Sequence, residues 1–181
     1  MGQTDQLLSR EELIQLWHNI ATSFDSKLEI TVDNGTSLAM RFAFQNEYGQ
    51  TLVGIKDLAG SGISAGSSME TYVITDLKTT PEEQLVITLP PLFNGLFEKF
   101  LTDVSPFYLN TTKHWVKSPS ASLREIVSSK KVQGLAGFDS LYLETRENQL
   151  ILKSNNFLGK AHETKTLINL HLRFLKLISK E

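Results

Sequence analysis

The sequence predicts an α+β fold: an antiparallel sheet of about six to eight strands packed against N-terminal, central and C-terminal helices. Three observations carry that reading. Apolar residues alternate with polar ones on both sides of Asp33-Asn34-Gly35, a pair of strands around a tight turn. Ser9 is followed three residues later by Glu12, a helix-opening signature ahead of a one-sided apolar run. A second alternating pair near Leu141 and Leu150 leads into a long amphipathic segment that closes the chain.

Taken in order, the first helix is expected from about Arg10 to Phe24, with Leu13, Trp17, Ile20 and Phe24 on one face. Leu28, Ile30 and Val32 then alternate up to the turn, and Leu38, Met40, Phe42 and Phe44 alternate beyond it. A second turn at Asn46 to Gln50 leads into a third strand at Thr51 to Lys56, so these strands form a meander. Gly60 to Ser68 is a glycine- and serine-rich connection, followed by strand residues at Tyr72 to Ile74. After a strand at Gln84 to Leu89, Pro90 and Pro91 open a helix carrying Phe93, Leu96, Phe97, Phe100 and Leu101. Val104 to Lys117 reads as one extended segment, and Ser118-Pro119 supplies an N-cap and first-turn proline for the next helix. Leu141 and Leu143 face Leu150 and Leu152 across a turn at Arg146 to Asn148. In the last helix Leu167, His171, Phe174 and Ile178 share a stripe, with Ile168, Leu172 and Leu175 beside it.

Length and composition bound the rest. At 181 residues the chain is long enough for a proper core and is expected to form one domain. Cysteine is absent, which removes disulfides, thiolate nucleophiles and sulfur-based zinc sites and suits a reducing compartment. No signal peptide and no run of about 20 apolar residues is seen, so a soluble, cytoplasmic protein without a membrane span is expected. Residues 1 to 103 carry 6 Lys/Arg and 14 Asp/Glu, and residues 104 to 181 carry 12 and 6, a split of −8 and +6. Such a split fits a basic face for an acidic partner or, as the favoured reading, two halves that attract one another within one fold.

Catalytic chemistry is sought by elimination. Gly60, Gly62 and Gly66 are spaced as GxGxxxG and precede strand residues, whereas a phosphate-binding loop opens a helix. Gly62-Ile63-Ser64-Ala65-Gly66 satisfies GxSxG, but the serine of that elbow stands between a strand and a helix of a parallel sheet. His162-Glu163 begins a zinc-helix pattern whose second histidine position is Thr166, and His171 falls on an apolar stripe. No cofactor and no metal site is therefore expected, and the balance is against an enzyme.

The most unusual local chemistry runs from Tyr108 to Lys117, where aromatic and basic residues interleave. Strand alternation places Tyr108, Asn110, Thr112, His114 and Val116 on one face and Lys113, Trp115 and Lys117 on the other. Tyr108, Lys113, His114, Trp115 and Lys117 are the candidate binding residues: a tryptophan between lysines can stack a planar group while the ammonium groups hold an anion. A pI near 6 argues against nucleic acid.

The succession Glu83-Gln-Leu-Val-Ile-Thr-Leu-Pro, a Phe-rich helix, Lys117-Ser-Pro-Ser-Ala-Ser-Leu-Arg-Glu-Ile, a leucine hairpin and a closing helix resembles uncharacterised bacterial domains of unknown function that follow membrane anchors. The resemblance covers about Gln84 to Leu177 and implies a fold and no catalytic residue. The expected function is thus a non-enzymatic binding or protein-interaction module, with a homodimer as one arrangement, working through the sheet face or through Tyr108 to Lys117. The alternative is a small-molecule pocket protein, with a hydrolase using Ser64 as its enzymatic form.

Overall fold

The computed structural model of the chain describes residues 8–33, 37–57, 69–81, 83–89, 103–109, 112–129, 141–154 and 161–179. The expected helix at Phe93 to Leu101, the Gly60 to Ser68 connection with Ser64, and the Asn34-Gly35 turn lie outside these residues.

Helix α1 (Arg10–Thr22) begins where the sequence places it. The Ser9 Oγ accepts the Glu12 N–H at 3.2 Å, and the Glu12 carboxylate accepts the Ser9 N–H at 2.8 Å. These bonds hold the Glu12 carboxyl below its ordinary range. The helix stops at Thr22, two residues short of the expected end, and Asp25 turns the chain with φ 52. Phe24 still reaches the core layer, stacked on Phe44 at 4.7 Å and on Phe42 at 5.8 Å.

Nine strands form one antiparallel sheet: β1 (Glu29–Asp33), β2 (Ser37–Gln45), β3 (Gly49–Asp57), β4 (Met69–Leu77), β5 (Val86–Thr88), β6 (Val104–Leu109), β7 (Thr112–Lys117), β8 (Tyr142–Arg146) and β9 (Gln149–Ser154). Their order is β1-β2-β3-β4-β9-β8-β5-β7-β6. The expected six to eight strands are therefore exceeded, because Val104 to Lys117 is two strands: Leu109 pairs with Thr112 and Val104 with Lys117. Periodicity is blind to such a reversal, since both arms alternate with the same period. Helix α2 (Ala121–Ser128) corrects another expectation: its N-cap is Ser120, whose Oγ accepts the Leu123 N–H at 3.3 Å, and Ser118 and Pro119 precede it. Ser118 Oγ instead accepts the Ser120 N–H at 3.2 Å.

Pairing register assigns each side chain to a face, because residues directly opposite one another project the same way. One face carries Met40, Phe42, Val53, Ile55, Val73, Leu152, Leu143 and Ile87, all buried. Leu13, Trp17 and Ile20 of α1 join the same core as Leu167, Phe174 and Ile178 of the closing helix α3 (Ala161–Ile178). The stripe expected for α3 is the buried one, His171 included.

A line of polar groups crosses this apolar layer. Asn46 Nδ2 donates to Thr51 Oγ1 at 2.6 Å, Thr51 Oγ1 lies 2.6 Å from Thr75 Oγ1, and Thr75 Oγ1 lies 2.8 Å from His171 Nε2. Because Thr51 already accepts from Asn46, using every hydroxyl proton requires Thr51 to donate to Thr75 and Thr75 to donate to His171 Nε2. The other ring nitrogen, Nδ1, has no hydrogen-bond partner among the described residues. Protonating Nε2 would turn the terminal acceptor into a donor and reverse the chain. Burial pushes the His171 pKa down to about 3.

Two outcomes follow from this packing. An imidazole that charges near pH 6.5 when unfolded and near 3 when folded draws protons into the unfolded state, so stability is lost as pH falls from 6.5 towards 3. The loss is about 1 kcal/mol per pH unit, and denaturant titrations of His171→Leu at several pH values should lack this component of the acid limb. At Gly49 (φ 156) an added Cβ would run into the Asp76 backbone carbonyl, so Gly49→Ala should lower the unfolding free energy by more than about 1 kcal/mol.

Candidate functional site

The opposite face of the sheet bears the second set of side chains, and pairing arranges them in rows. One row reads Glu29, Arg41, Gly54, Tyr72, Lys153 and Tyr142 across six strands. The adjacent row reads Ala43, Leu52, Ile74, Ile151, Glu144 and Val86, each half-buried. A third row, Gln45, Gln50, Asp76, Gln149 and Arg146, is polar. An apolar strip thus runs between an aromatic and cationic row and a polar one.

Local contacts fix the shape of this face. Gly54 is buried because the Tyr72 ring lies across it, in the space that a Cβ would occupy. Desolvation raises the Tyr72 pKa above the ordinary phenol value, the main opposing influence being the nearby Arg41 charge. The Tyr142 hydroxyl donates to Glu144 Oε2 at 2.7 Å, and its pKa is pushed up to about 12, first by burial and then by that carboxylate. Both tyrosines therefore remain protonated donors at neutral pH. Strand spacing of about 4.8 Å sets their backbones roughly 10 Å apart, with Lys153 between them. Glu70 holds the ammonium groups of Lys56 at 3.2 Å and Lys153 at 3.5 Å, and Arg41 pairs with Glu29 at 2.7 Å.

The five residues singled out from sequence are distributed differently from the expectation. Tyr108 pairs with Lys113 across the β6–β7 hairpin, so it shares a face with Lys113, Trp115 and Lys117 and not with His114. Tyr108 is 45 % exposed, but Trp115 is only 2 % exposed and His114 is fully buried. The open tryptophan platform is absent: Lys117 Nζ sits 5.8 Å from the Trp115 ring centroid, and the ring is enclosed. His114 Nε2 accepts the Leu141 N–H at 3.2 Å, joining β7 to the start of β8. Alternation failed here because β7 buries His114, Trp115 and Val116 in succession, on both of its faces.

Tyr72, Tyr142 and Lys153 were not singled out from sequence, since each is an ordinary strand residue and only the β4–β9–β8 pairing brings them together. Among the described residues no group of three or more histidine, aspartate or glutamate side chains is placed to hold a metal ion. No described helix is long and apolar enough to cross a membrane. No family model matches the sequence, and no curated protein matches it.

The Tyr142–Glu144 contact has a direct spectroscopic readout. In an alkaline absorbance titration Tyr142 should ionise well above a free phenol, and Glu144→Gln should bring that step down, leaving the burial contribution in place.

Proposed function

We propose that this protein is a non-enzymatic interaction module that works through the outer face of its sheet, and that the partner on that face is a second copy of the chain. The observation that supports the reading is the continuous strip of Ala43, Leu52, Ile74 and Ile151, half-buried and bordered on both sides by polar rows. Two sheets stacked on such faces are held about 10 Å apart by interdigitating apolar side chains.

Mixed charge favours self-association over a strongly charged partner. The face presents Arg41, Lys56, Lys113, Lys117, Arg146 and Lys153 together with Glu29, Glu70, Asp76 and Glu144, so both signs are interspersed on it. A two-fold interface brings one patch against itself, so it tolerates only a surface that is complementary to its own image. A face of one sign would repel its copy.

Sedimentation equilibrium on the purified chain tests this reading. A dimer is expected, and Ile74→Lys combined with Ile151→Lys should give a monomer with unchanged circular dichroism, because both side chains lie on the outer face. A wild-type chain that stays monomeric at its highest attainable concentration, or a double variant that dimerises as well as the wild type, would overturn the proposal.

A further inference from the structure

The connection between β2 and β3 is an irregular turn held by one side chain. Asn46 Oδ1 accepts the N–H groups of Tyr48 at 2.8 Å and Gly49 at 3.1 Å, and the Asn46 N–H donates to the Gly49 carbonyl at 3.0 Å. The end of β4 is tied to the same turn: the Lys78 N–H donates to the Tyr48 carbonyl at 3.0 Å and Lys78 Nζ to the Glu47 carbonyl at 2.7 Å. Tyr48, half-buried against the core, is thereby held as a fixed wall with a cleft on either side.

The cleft towards α3 measures about 430 Å³ and is lined by Asn46, Tyr48, Asn169, Leu172, Arg173 and Lys176 together with Glu47. That volume lies within the range of roughly 300 to 1,000 Å³ common to small-molecule sites. A second cleft of about 440 Å³ lies across Tyr48 and is lined by Leu77, Lys78 and Ile178 among others. The first cleft is distinguished by its charges. Arg173 and Lys176 are exposed, stand three residues apart on α3, and make no ion pair among the described residues. Helical positions three apart are neighbours, with Cβ atoms about 5 to 6 Å from one another, so both cations can address one anionic group.

We infer that this cleft binds a small monocarboxylate carried on an apolar or aromatic body. The carboxylate meets Arg173, whose planar guanidinium matches it with two parallel N–H donors, and Lys176. The body lies against Tyr48 and Leu172, while the Asn169 amide provides a polar group at the wall. Two cations and the Glu47 carboxylate leave a local charge of one positive unit, which suits a monoanion better than a phosphate dianion.

The two walls come from different elements, and the buried polar line joins them. Asn46 holds the turn that carries Tyr48, and His171 sits two residues before Arg173 and five before Lys176. Between them Thr51 of β3 and Thr75 of β4 complete a chain of hydrogen bonds through the sheet. A site whose walls are clamped before the ligand arrives loses little affinity to ordering. The position of the line accounts for polar side chains in a layer that apolar residues would otherwise fill.

Amide NMR shifts and calorimetry with three probes test the inference: phenylbutyrate, its uncharged amide, and inorganic phosphate. Phenylbutyrate should shift Asn46, Tyr48 and Arg173 saturably, and the amide and phosphate should bind at least roughly tenfold more weakly. Arg173→Gln with Lys176→Gln should weaken phenylbutyrate by roughly tenfold or more, and Glu47→Gln, which removes the like charge, should tighten it by about two- to fivefold. All three side chains are exposed, so the variants should fold as the wild type does. Absence of saturable shifts at Tyr48, equal binding of the amide, tighter binding of phosphate, or an unaffected double glutamine variant would each overturn it.

Discussion

Everything distinctive about this molecule depends on the pairing of β4 with β9. These strands are far apart in sequence, with Thr75 opposite Leu150 and Thr71 opposite Ser154, and they fuse a four-stranded meander to a second group of five strands. Closing so long a loop costs entropy that neighbouring hairpins do not face, so the junction has to be secured by what is buried over it. Val73 and Leu152 meet there on the inner face, and Thr75 at the same junction reaches His171 of the closing helix.

That junction also organises the outer face. Ile74 faces Ile151 and Tyr72 faces Lys153 across the same two strands, so the apolar strip and the aromatic row are continuous only because β4 and β9 are in register. A slip of β4 by one residue would turn Ile74 inwards, bring Val73 and Thr75 to the outside and leave Ile151 without Ile74 as its apolar neighbour. The thread of hydrogen bonds to His171 penalises such a slip further, since it would take Thr75 away from both Thr51 and the buried imidazole. Register, helix docking and surface chemistry are therefore one constraint expressed three times.

The charge asymmetry of the chain takes on a spatial meaning in this arrangement. Strands β1 to β5 come from the acidic part and β6 to β9 with α3 from the basic part, and the pairings of β4 with β9 and of β5 with β7 and β8 set the two side by side. Contacts such as Glu70 with Lys153 cross the boundary. Surface ion pairs of this kind contribute little each, but they oppose no part of the fold and they set opposite charges side by side on the outer face.

Local chemistry was readable directly from the chain: the Ser9–Glu12 cap, the buried stripe of α3 and the leucine hairpin depend on residues within a few positions of each other. Periodicity of that kind is a property of the sequence alone, because side-chain direction follows backbone geometry. The reversal between Leu109 and Thr112, the burial of Trp115, and the meeting of Tyr72 with Lys153 and Tyr142 are of another kind. They depend on which strand lies beside which, and many pairings satisfy the same alternation. Tertiary packing alone chose among them, and with them it decided which polar residues line a cleft and which aromatic rings stay in contact with solvent.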